Sequence, residues 1–234
     1  MFRNILCITS FWCLLITCLT PLYAKTYYVR CDGDDANSGN KNTAKSAWRT
    51  IDRGQPTFLM KSSKFGDSVL HVLKANQFPP RGKVKINNTV ISYTGRTLQA
   101  LTGCKNVSDI PAFTKIWSVD YTHASAGDTI IIEKGVYSLS FDAFPERSRF
   151  GFAIAMFFAG GKSGAPLIIK GNGLPVIDAG DEPNCDSLSI QSDHIQIENL
   201  DIRRGGIRIQ NARRVKLLNC RIHQGDVSCR STQR

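Results

Sequence analysis

Several routes to function are closed by what this 234-residue chain lacks. None of its eight cysteines stands in a C-x-x-C pair, so zinc-ligand spacing and a redox dithiol are both missing. Its four histidines, at 71, 123, 194 and 223, are scattered and group into no ligand set. Gly160-Gly161-Lys162-Ser163-Gly164 is glycine-rich but lacks the G-x-x-x-x-G-K spacing and precedes a strand pattern, so it is no phosphate loop. No nucleic-acid motif is visible, and nucleic acid is not an expected partner. After residue 24 no stretch is long and apolar enough to span a bilayer. Negative charge is scarce at one end: from Arg203 onward nine Lys and Arg face one anion, Asp226.

What is present begins with a signal. Met1 to Ala24 combines an early cation, Arg3, an apolar run from Ile5 to Leu19, Pro21 and the small Ala24. This predicts a secretory leader over 1–24, cleaved before Lys25, and a mature protein that is secreted, periplasmic or at the cell surface. Cleavage leaves Cys31, Cys104, Cys185, Cys220 and Cys229, an odd number that cannot all pair internally. It also leaves 29 Lys plus Arg against 19 Asp plus Glu, and a basic extracellular surface favours a polyanion, with acidic polysaccharide the expected one.

The organising stretch lies near the end. His194 to Gly205 (HIQIENLDIRRG) and Arg214 to Gly225 (RVKLLNCRIHQG) match at a constant offset of twenty residues, with Ile195 on Val215, Ile197 on Leu217, Leu200 on Cys220, Asn199 on Asn219 and Gly205 on Gly225. Apolar residues alternate, pause at the Asn and alternate again, which predicts two short strands with a tight corner between them. Ile207-Arg208-Ile209 is a third strand, equivalent to Leu188-Ser189-Ile190 and Val227-Ser228-Cys229. Three strands and three corners per turn describe a coil, and stacked coils pair equivalent residues about 4.8 Å apart. Asn199 over Asn219 is then an internal side-chain ladder, and Cys220 a small inward residue.

With this repeat and its Asn corner the chain resembles the right-handed parallel β-helix proteins of the pectate-lyase type. The fold class expected is therefore all-β, a right-handed parallel β-helix with few coils; the handedness comes from the resemblance and from the general preference for right-handed crossovers. The segment Thr26 to Val29, Cys31-Asp-Gly-Asp-Asp-Ala-Asn-Ser-Gly39 and Trp48-Arg-Thr-Ile51 is similar to the N-terminal segment of secreted β-helix proteins. Trp48 and Ile51, three apart, are expected on one helical face capping the first coil, which makes 25–54 the capping segment. The next family phrase is Gly127-Asp128-Thr129-Ile-Ile-Ile132, so 55–121 reads as an insertion and 122–234 as the coils. The insertion has short β-prone runs between Pro, Gly and Asn-Asn turns, predicting a small antiparallel module, either a spacer or a binder of carbohydrate or a partner. Its F-P-x-x-G and I-S-Y-T-G phrases resemble a module found in bacterial and phage surface proteins. Ser138 to Lys162 shows little period and is expected as an excursion placing phenylalanines over the coil flank.

The resemblance implies chemistry in an outer groove: abstraction of the proton α to a uronate carboxylate, with Lys or Arg as base and often Ca²⁺ on acidic residues. The catalytic candidates are Arg208, Arg203 and His223, the last two as an anion-binding pair or a base with its charge partner. Ser189, Ser228, Lys216 and Arg221 are the substrate-binding candidates. The third-strand column of Ser189, Arg208 and Ser228 holds no carboxylate, and Asp201 over Arg221 is expected as a surface ion pair. A Ca²⁺ loop from Asp32, Asp34, Asp35 and Asn37 is the metal candidate, although it lacks the distal bidentate Glu of an EF-hand. The chain stops just after a third strand, so a truncated product, or a partner chain on the uncapped last coil, is expected. The function expected is binding of, or action on, acidic polysaccharide; the alternative is a non-enzymatic surface or adhesion β-helix, or an inactive fragment.

Overall fold

A computed structural model of the chain describes residues 24–75, 77–97, 99–138, 153–180 and 186–230. Residues 1–23, all but the last of the expected leader, lie outside them, as do Cys185 and Phe141, Phe144, Phe150 and Phe152. Every regular element among the described residues is a β-strand, and no helix there is long and apolar enough to cross a membrane.

Alternating apolar residues send every second side chain to one face. In this chain that shared face becomes the inside of a stack. Three parallel sheets form: Thr26–Val29, Thr129–Ile132, Leu167–Gly171, Ile195–Glu198 and Lys216–Leu218 make the first. Val136–Tyr137, Val176–Asp178, Asp201–Arg203 and Arg221–His223 make the second, and Ala153–Phe157, Asp186–Ile190, Ile207–Gln210 and Val227–Arg230 the third. Each coil gives one strand to each sheet, a β-helix-like arrangement. In the last coils the pairing keeps the offset of twenty: Gln196 with Lys216, Ile202 with Ile222, Ile207 with Val227. Tyr137, Ile177, Ile202 and Ile222 form one inward column, and the first three are buried. The corners repeat as well. His194 and Arg214, Asn199 and Asn219, Arg204 and Gln224 all have φ between 51° and 57°, the left-handed region that Asn tolerates better than most residues. Gly205 and Gly225 recur because the chain passes so close there that a Cβ on Gly225 would strike the Gly205 carbonyl. The Asn pair differs from expectation: Asn199 is half-buried and Asn219 exposed, and what joins the corners is a backbone bond from the Asn199 N–H to the Leu218 carbonyl.

The cap forms without a helix. Trp48 pairs with Val29 as a single parallel bridge, and its ring stacks on Tyr27 at 4.5 Å, so the free edge of the first strand is covered by backbone and by an indole. Trp48 and Ile51 are both buried, but through turns rather than on one helical face. Gly39 has φ +76 and lies against the Trp48 ring, where a side chain would collide.

Between cap and coils, residues 57–118 make two antiparallel sheets. One runs Thr57–Phe58, Lys115–Ser118, Gly82–Ile86, Thr89–Tyr93; the other Val69–His71, Ala100–Thr102, Gly95–Arg96. Ile86 pairs with Thr89 across Asn87-Asn88, a two-residue hairpin in which Asn87 takes φ 53. Leu59, Val72, Phe78, Val84, Ile91 and Ile116 belong to a core of their own, apart from the coil core.

A buried joint mounts this module on the third sheet. Lys74 Nζ donates to Asp52 Oδ2 at 2.6 Å and to the Ile154 carbonyl at 2.8 Å, while the Met156 N–H donates to the same Asp52 oxygen at 2.9 Å. The two charged side chains are 2% and 0% exposed. Around them Leu73, Ala153, Met156 and Phe158 pack with Phe58 and Met60. The stretch Ala153–Phe157, which lacks a period and was expected within an excursion, is thus a strand covered on both faces. Its residues are all buried, and a strand buried on both sides has no alternation to show.

Candidate anion-binding face of the coils

The outward column of the third sheet runs Met156, Ser189, Arg208, Ser228. Met156 lies under the module. Ser189 is 1% exposed and its Oγ accepts from Gln191 at 3.4 Å, so of the two serines only Ser228, half-buried, reaches the surface. Arg208 does not stand among serines alone: its Nε meets Asp186 Oδ2 at 2.7 Å. Burial pushes the Asp186 carboxyl above its ordinary value and the Arg208 charge opposes the rise.

On the second sheet Arg203 lies between Asp178 and His223 in register, and Asp201 is one strand before Arg221. The expected Asp201 to Arg221 pair is replaced. Asp201 is 4% exposed and takes Arg203 Nε and Nη2 on Oδ2 at 3.2 and 2.7 Å, with His223 Nε2 3.4 Å from Oδ1. Two residues apart on one strand, Asp201 and Arg203 share a face, and the long guanidinium folds back over the short carboxylate; Arg221 stays exposed. The bond to Asp201 raises the Arg203 pKa further. At the next corner Arg204 grips Asp178 with Nε to Oδ1 at 2.8 Å and Nη2 to Oδ2 at 2.5 Å, and this fork holds the Asp178 carboxyl below its ordinary value.

The candidates therefore do not converge on one point. Lys216 belongs to the first sheet, Arg203, Arg221 and His223 to the second, Arg208 and Ser228 to the third, and together they form a basic band around the last two coils. Asp178 and Asp186, which anchor Arg204 and Arg208, escaped the sequence reading. Asp178 stands beside Arg203 in the ladder at a spacing of 25, not twenty, because that coil is longer, so a fixed offset does not bring it near Arg204.

The residues of the expected calcium loop are spent on the turn itself. Asp32 binds Arg30 twice, at 2.7 and 3.0 Å, and Asp34 Oδ1 accepts from the Ala36 N–H. Asp35 takes the Arg49 and Thr50 N–H groups and the Thr50 hydroxyl. Asn37 donates its amide to the carbonyls of Ala44 and Ala47. Four side chains each turned to partners of its own do not converge as calcium ligands do, and among the described residues no three His, Cys, Asp or Glu gather as metal ligands.

No protein-family model matches the chain, and no curated protein matches it. Among solved structures it is similar to a rhamnogalacturonan lyase at 15% identity and a TM-score of 0.48, over 86% of this chain and 36% of that one. The chain thus spans about a third of that protein's length.

Proposed function

We propose that this is a right-handed parallel β-helix protein, working outside the cytoplasm, that binds acidic polysaccharide along the basic band of its last coils. The observation carrying the reading is that Arg203 and Arg208, on adjacent faces of one coil, are each held by a carboxylate beneath them. A guanidinium has five N–H donors, and a carboxylate that engages one or two of them leaves others aimed outward in a fixed direction. Arginines fixed in this way lose less side-chain freedom on meeting a uronate, so more of each charged hydrogen bond is kept as affinity.

Catalysis is the finer possibility within the same reading. β-Elimination requires a base at the proton α to the carboxylate and a cation for the charge that develops. His223, beside Asp201 and Arg203 on the second face, and Arg208 on the third are the candidates for that work. The spread of these residues over separate faces, with Asp178, Asp186 and Asp201 committed to arginines, favours the non-enzymatic reading, a surface protein that holds polymer. Retention of the mature protein on immobilised polyuronate at low salt, with release as salt rises, is the expected result, weakened in Arg203→Ala and Arg208→Ala. Indifference to polyanion overturns the proposal. Ultraviolet absorbance of unsaturated uronate, followed with and without added Ca²⁺, separates lyase from binder.

A further inference from the structure

The inserted module carries a cleft that the coils do not use. A cavity of about 270 Å³ opens between the segments 59–63 and 67–71, floored by the buried Leu59 and Leu70 and walled by Lys61, Ser63, Asp67 and His71. That is just below the range of about 300–1,000 Å³ typical of pockets enclosing drug-sized molecules. On the loop that joins these two lining segments, Phe65 is 86% exposed.

The exposure is built in. The loop carrying Phe65 is tied at every step: Ser63 and Ile110 exchange backbone bonds, the Lys64 N–H donates to Asp67 Oδ2 at 2.7 Å, the Phe65 N–H to Asp109 Oδ1 at 2.8 Å, and the Gly66 N–H to the Val107 carbonyl. A second exposed ring is tethered to the floor: Phe113, 63% exposed with φ 62, donates its N–H to the Leu59 carbonyl at 2.6 Å. Hydroxyls, one ammonium, one imidazole and one carboxylate in the cleft, with exposed rings on adjoining loops whose backbone is tied, match a pyranose, which offers hydroxyls at its rim and apolar C–H groups on its face. The position matters too. Met60, adjacent to the cleft residue Lys61, packs against the cluster containing Met156, which belongs to the same sheet as Arg208, two coils earlier.

We infer that the module is an anchoring sugar-binding subsite for the polymer proposed for the coils, with Phe65 stacking on a sugar ring and Lys61 taking a uronate carboxylate. The inference rests on acidic polysaccharide being the ligand. Calorimetric titration of the full mature chain with an oligogalacturonate, and with an uncharged oligosaccharide of the same length, tests it. Phe65→Ala and Lys61→Ala, both at exposed side chains, are expected to keep the circular dichroism and melting midpoint of the parent and to weaken oligogalacturonate binding about tenfold each, or 1.4 kcal/mol. The uncharged oligomer is expected to be sensitive to Phe65→Ala alone. Parental affinity in both variants overturns the module as a subsite, and if Arg208→Ala is weakened in the same titration the coil reading survives. Loss in the module variants with parental affinity in Arg208→Ala and Arg203→Ala keeps the subsite and removes the coil face. No heat with any oligomer removes both.

Discussion

Aspartate meets a cation in two parts of this molecule, and the surroundings reverse the consequence. At the joint between module and coils, Lys74 and Asp52 are sealed from water, and Asp52 also serves the Met156 N–H. On the outer face of the last coils Asp201, Asp178 and Asp186 hold arginines whose side chains are 26–49% exposed. A buried pair fixes one arrangement because neither charge tolerates losing its partner. A half-exposed pair contributes little to stability and leaves a positioned cation for something else. The joint is therefore a mount, whereas the face presents positioned cations, as the proposed binding requires.

The most damaging way to test this difference is to break the mount. Lys74→Met keeps the volume and strands the Asp52 charge, so a loss of about 3–5 kcal/mol is expected in denaturant unfolding. The same substitution at Arg203, whose side chain is half exposed and whose partner Asp201 keeps His223 3.4 Å from Oδ1, is expected to cost clearly less. Ile202→Ala, in the buried inward column, is expected to cost about 2–5 kcal/mol, and Ile222→Ala, one coil on and half-buried, clearly less. A smaller effect, read in binding rather than stability, belongs to the face: the double variant Arg203→Ala with Arg208→Ala is expected to leave immobilised polyuronate at distinctly lower salt than the parent.

The smallest effect depends on pH. Asp178 is depressed by the Arg204 fork, so its contribution is full above the ordinary carboxyl value of 3.8 and is lost as pH falls through its own lower value. Asp178→Asn should thus lower the melting midpoint at neutral pH by the equivalent of at most about 1 kcal/mol, with the difference closing in acid. Asp186 has the opposite sign. Its carboxyl is raised by burial, so the folded state takes up a proton before the unfolded chain does, and acidification from above its raised value toward 3.8 favours folding through this group. Asp186→Asn should therefore narrow its difference from the parent over that interval, as followed by midpoint against pH.

Legibility followed regularity. The last coils were readable because one face is buried and the period is fixed, so that Ile202 over Ile222 and Arg203 over His223 follow from counting. Ala153–Phe157 was not, since the module hides its outer face and erases the alternation that marks a strand. The cap was half readable: Trp48 and Ile51 are buried as their position suggested, but by turns and a single bridge, because Asp35 and Asn37 bind the backbone around Trp48 and offer it an alternative to a helix. The site was legible as a band of cations and not as ion pairs, because a side chain's partner depends on which way its rotamer swings once both neighbours are present.

What the sequence alone determined is the stacked, parallel β architecture of the final coils, its left-handed Asn corners and its basic outer surface, all consequences of local periodicity and composition. What only the tertiary structure decided is where the unequal coils bring Asp178 and Asp186 to their arginines, and how a module from the middle of the chain docks on the third sheet through Lys74 and Asp52. Those contacts join residues 22 to 104 positions apart, and no local pattern encodes them.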